Sequence, residues 1–156
     1  MRWRARTIVQ LYRTLRAGRP QLKRDPLGCT LRIMERARIN RPVTPDEIAV
    51  IRTALERASK SPSYAALADG LDQLRAISQC GCGCDSVDFV EHDPKNRSKP
   101  IADATGKTRA GGDVGVLVWG TESQVTGLEI YDLGAGDADL KLPVPDSITA
   151  FVGGAA

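Results

Sequence analysis

The chain has 156 residues, enough for one domain and too few for two comfortable ones. Aromatic residues make up only 4%, so a core must rest on Val, Ile, Leu and Ala. No apolar run approaches the roughly 18 residues of a membrane-spanning helix, so no membrane role is expected.

Charge is divided unevenly along the chain. Residues 1–41 carry twelve Lys/Arg and two acids, Asp25 and Glu35, whereas residues 42–156 carry ten Lys/Arg and seventeen acids. This split predicts a basic, flexible N-terminal extension over 1–41, a single domain over 42–150 and a fraying tail over 151–156. The extension resembles no secretory signal, because Gln10, Tyr12, Arg13 and Thr14 interrupt its apolar piece. A cytoplasmic, reducing location is therefore expected, with cysteines as thiols or metal ligands. Met34, just ahead of the first well-formed element, is a candidate alternative start. The extension is also a candidate nucleic-acid-binding arm through phosphate contacts, although only Trp3 and Tyr12 offer aromatic support.

Thr44-Pro45-Asp46-Glu47 has the form of a capping box. Ile48, Ile51, Leu55 and Ala58 then predict an amphipathic helix to about Ser59. Ser61-Pro62-Ser63 opens a second, shorter helix through Tyr64, Leu67 and Ala68, which Gly70 is expected to stop. The period then changes. Leu71–Gln79, Ser86–His92 and Ile101–Ala104 read as strands, and Val114–Trp119 and Val125–Leu133 give the strongest strand signals. Thr121–Gln124 is short enough to close a hairpin. Leu140–Ile148, with Pro143 and Pro145, reads as an extended segment on a sheet edge. The expected fold is α+β: two N-terminal helices packed on a four- to five-stranded, mainly antiparallel sheet. A parallel sheet would need helices between strands, and no room remains for them.

Cys80-Gly81-Cys82-Gly83-Cys84 is the most conspicuous local feature. Fully extended, successive cysteines would lie roughly 6.5–7 Å apart, too far to share a zinc ion bound through thiolate bonds of about 2.3 Å. The glycines permit a curl that would bring the sulfurs together. The segment lacks the second ligand pair of a common structural zinc site. A fourth ligand would have to be Cys29, His92, the only histidine, or a carboxylate such as Asp85. The alternatives are three small thiols packed in a tight turn, or a redox pair.

Gln79-Cys80-Gly81-Cys82-Gly83-Cys84-Asp85-Ser86-Val87-Asp88-Phe89, with Gly115-Val116-Leu117 and Gly127-Leu128-Glu129-Ile130-Tyr131, resembles an uncharacterised family of small bacterial proteins. That family carries a C-x-C-G-C-x-S-V segment and ends in an L-E-[IV]-Y strand. The resemblance spans roughly residues 44–148. It implies a bacterial, cytosolic protein and brings no activity and no site residue.

Other signals are weaker. Gly106-Lys107-Thr108 lacks the first glycine of a phosphate loop, which would stand at Ile101, and no helix follows it. Asp137 and Asp139 fall short of a calcium loop. Asp85, Asp88, Glu91 and Asp93 beside His92 read as a charged strand face. No convincing acid–base or nucleophile set emerges, so a non-enzymatic interaction or accessory domain with a protein partner is expected first. Zinc binding through Cys80, Cys82, Cys84 and His92 comes second, and nucleic-acid binding third.

Overall fold

Thr44 caps the first helix as its neighbours dictate. Its Oγ1 accepts from the Glu47 amide at 3.2 Å, and the Glu47 carboxylate accepts from the Thr44 amide at 2.7 Å. The computed structural model describes residues 36–91, 93, 95, 97–133 and 139–151. In it helix α1 spans Pro45–Ala58 and buries Val50, Ile51, Ala54, Leu55 and Ala58 along one face.

Seven strands form one sheet: β1 Arg36–Pro42, β2 Arg75–Cys80, β3 Val87–Asp88, β4 Lys99–Lys107, β5 Asp113–Gly120, β6 Val125–Asp132 and β7 Thr149–Ala150. Their order is β1-β2-β3-β6-β5-β4-β7, and every pairing is antiparallel. One face is the core. Ile101, Ala102, Ala104, Val114, Val116, Val118, Leu128 and Ile130 join the apolar face of α1 in one buried cluster. On the strands β5 and β6 the alternate positions Leu117, Trp119, Glu129 and Tyr131 belong to the other face, which no helix of the described residues covers.

The α+β class and the antiparallel sheet agree with expectation, but the details differ. The second helix is a 3₁₀ helix, Pro62–Gln73, that runs through Gly70 rather than stopping there. Its buried Tyr64, Ala68 and Leu71 recur every three or four residues, a spacing that α and 3₁₀ helices share, so periodicity could not separate them. The sheet has seven strands rather than four or five. The additions are β1 and β7, and β7 has only two residues, too few to show a period; β3 keeps two residues, Val87–Asp88, of the strand expected over Ser86–His92. Strand β1 lies inside the span assigned to the extension. Its basic RARINRP sequence suits an edge strand: Arg38 faces water, while Arg36 and Arg41 turn to the carboxylates of Asp88 and Glu47. β4 is nine residues long, extending the strand expected over Ile101–Ala104 through Thr105, Gly106 and Lys107.

The ends are tied down. Arg57 in the last turn of α1 donates to the carbonyls of Asp146 and Ile148 at 3.1 and 3.0 Å. The segment 143–148 thereby reaches the β4 edge, but a 3₁₀ turn at Pro145–Ser147 interrupts the extended piece expected there, and Thr149–Ala150 then pairs with β4 as β7. The β5–β6 hairpin closes with Thr121 N–H donating to the Gln124 carbonyl at 2.9 Å. No helix among the described residues is long and apolar enough to cross a membrane.

Candidate functional site

Strand β2 ends at Cys80, and the chain reverses through Gly81–Asp85 into β3. Gly83 has φ +89°, a conformation in which a side chain would be strained, so the curl depends on glycine there. The Cys80 amide donates to the Ser86 carbonyl at 3.0 Å and closes the reversal. Ser86 is fully buried beneath it. Its Oγ accepts from the Ile130 amide at 2.9 Å and donates to the Ile130 carbonyl at 3.3 Å, which seats the turn on β6.

A second strap crosses from residues 139–142. The Asp85 amide donates to the Leu140 carbonyl at 2.9 Å, and the Asp85 carboxylate accepts from the Leu142 amide at 2.9 Å. Lys141 Nζ donates to the Gly83 carbonyl at 2.9 Å and lies 3.4 Å from Asp85 Oδ1. Leu140 packs on Cys80 and Cys84.

This scaffold brings the three sulfurs together. The Sγ atoms of Cys80, Cys82 and Cys84 all lie within 4.8 Å of one another. Tetrahedral zinc with bonds of about 2.3 Å needs sulfurs roughly 3.8 Å apart, so small rotamer changes suffice. Cys80 and Cys82 are closest, at 2.9 Å. Cys80 and Cys84 are buried, and Cys82 is exposed. Cys84 Sγ donates to Ser86 Oγ at 3.2 Å. Burial raises the Cys84 thiol above its ordinary range, and the neighbouring Cys82 adds to the rise against the opposing pull of Ser86. Cys80 is disulfide-bonded, whereas Cys82 and Cys84 carry thiols.

The other predicted ligands fare differently. His92 and Cys29 lie outside the described residues, as does Asp137. Asp85 is committed to the strap and is not part of the sulfur group. The acidic run does not converge: Asp88 pairs with Arg36 and accepts from Ser78, Glu91 sits 3.7 Å from Arg38, and Asp93 accepts from the Lys95 amide. Gly106-Lys107-Thr108 closes a strand and opens no helix, so its amides form no phosphate cradle.

Sequence reasoning missed the uncovered face of the sheet. There Trp119 Nε1 donates to Glu129 Oε2 at 2.9 Å, and Tyr131 Oη donates to Asp103 at 3.3 Å. Burial, then Asp103, pushes the Tyr131 phenol up to about 12. The L-E-I-Y run was noted, but only as a strand; its outward Glu and Tyr were the available signal. No family model, no curated protein and no solved structure matches the chain.

Proposed function

We propose that the reduced protein binds one thiophilic divalent metal ion, zinc by class, through Cys80, Cys82 and Cys84. The convergence of three sulfurs within 4.8 Å supports this reading. Extended geometry would have kept them apart, and a positive-φ glycine with two straps, the Ser86–Ile130 one fully buried, holds the curl instead.

Three thiolates leave one position of a tetrahedron for an outside ligand, and the exposed Cys82 puts that position at the surface. Binding requires the thiol protons to leave, so affinity rises with pH. The elevated Cys84 thiol carries that dependence to higher pH. The disulfide at Cys80 is the metal-free alternative state. Two cellular thiols would reduce it by successive exchange, leaving as their own disulfide, and the released Cys80 thiol would join the triad.

Protein isolated with reductant and without chelator is expected to hold one zinc per chain. Cobalt substitution is expected to give thiolate-to-cobalt absorption, and both signals are lost in C82S. Fully reduced protein that titrates all three thiols and retains no metal would overturn the reading.

The non-enzymatic interaction role expected first from the sequence ranks behind it, and the nucleic-acid reading rests on residues 1–41, of which 1–35 lie outside the described residues.

A further inference from the structure

The uncovered sheet face forms a groove of about 780 Å³, within the range of small-molecule sites. Its lining combines apolar side chains, such as Ile39, Ile77 and Val90, with Trp119 and with four carboxylates, Asp88, Glu91, Asp93 and Glu129. Two guanidinium groups also line it, and each faces a carboxylate: Arg36 lies 2.6 Å from Asp88 and Arg38 lies 3.7 Å from Glu91. Asp93 and Glu129 remain without a cation among the described residues.

Glu129 is the unusual member. It is only 5% exposed, yet it belongs to the groove lining. One carboxylate oxygen accepts from Trp119 Nε1 at 2.9 Å, and no Lys or Arg of the described residues pairs with the group. Its other oxygen has no hydrogen bond from a described residue and is not a buried unsatisfied atom, so it opens onto the groove, where a cation can reach it. Gly127 stands opposite Trp119 across β5 and β6, so no side chain fills the space beside the indole on that strand.

We infer that this groove binds a small organic cation, an ammonium or guanidinium on an apolar stem, with the cationic head on Glu129 beside Trp119. The apolar stem lies against Ile39, Ile77 and Val90. The Trp119 indole adds attraction for the cation, which a neutral head would not receive. Asp93 supports the same sign of charge at the rim. The inference is independent of the sulfur site and survives its failure.

The test uses the full chain with butylguanidinium, butylammonium and the neutral isostere butylurea. Binding is followed by the Trp119 indole N–H resonance, assigned by comparison with W119F. Both cations are expected to shift that resonance saturably, while butylurea binds at least about tenfold more weakly. E129Q keeps an acceptor for the indole and removes the charge; it is expected to bind the cations at least about tenfold more weakly and butylurea unchanged. Wild-type protein that binds butylurea as well as the cations, or none of the three at millimolar concentration, would overturn the inference. The wild-type comparison decides the matter even if E129Q fails to fold.

Discussion

Gly115 shows how one missing side chain shapes a surface. It pairs with Tyr131 across β5 and β6, and a Cβ built on it would stand 2.1 Å from the Tyr131 ring. The phenol ring lies over the strand only because that atom is absent. G115A must push the ring aside and break its hydrogen bond to Asp103. Overpacking costs about 1–3 kcal/mol, while Gly→Ala recovers about 0.4–1 kcal/mol through the unfolded chain. A net loss of about 1–2 kcal/mol is expected by urea denaturation. In a Y131A background the same change should cost nothing, and an undiminished penalty there would show that the ring is not the cause. Gly115 was legible in the sequence only as part of a strand. Its reason is a cross-strand neighbour sixteen positions away.

Helix α1 is the element whose start the sequence stated most fully. The box residues Thr44 and Glu47 behave as their spacing implies, yet Glu47 has a further partner that spacing does not reveal. Arg41 from β1 grips its carboxylate through two bonds of 2.7 and 2.8 Å. Burial tends to raise the Glu47 carboxyl, but the bonds from Arg41 and Thr44 outweigh it and hold the group below the usual carboxylate range. Because the folded value lies below the unfolded one, the stabilisation is complete above about pH 4.3 and is lost as pH falls through the lower folded value. E47Q is expected to cost about 1–3 kcal/mol at pH 7. In urea titrations from pH 7 to pH 3, the gap between wild type and E47Q should close in acid. A gap that stays constant would mean that the carboxylate charge does not contribute. The 3₁₀ helix is pinned differently, at its rim: Glu122 in the β5–β6 turn accepts from Tyr64 Oη at 3.0 Å and from Lys99 Nζ at 2.7 Å. Those groups are surface-exposed in part, and such pairs contribute little to stability.

At the scale of the whole molecule, β1 ties the N-terminal part of the chain to the sheet. A chain beginning at Met34 keeps all seven strands, whereas one beginning at Thr44 loses β1 and leaves Glu47 buried without Arg41. The shorter chain is expected to unfold at lower urea or not to fold at all. Equal midpoints for the two would show that the edge strand is dispensable. By itself the sequence determined the class of fold, the start of α1, the β5–β6 hairpin and the glycine-permitted reversal at the cysteines. Each of these rests on neighbours within a few residues: a cap three positions away, an alternating strand, a glycine between thiols. Only the tertiary structure decided the strands β1 and β7, the partnering of Asp85 with residues 140–142, and the buried Glu129 on the face that no described helix covers. A two-residue strand has no period, and a basic edge strand looks like a tail, because pairing with a distant strand defines both. The cysteine segment stands between these cases. Its curl was legible from Gly81 and Gly83, but the approach of its sulfurs to within 4.8 Å depends on Ser86 reaching Ile130 and on the strap from Lys141.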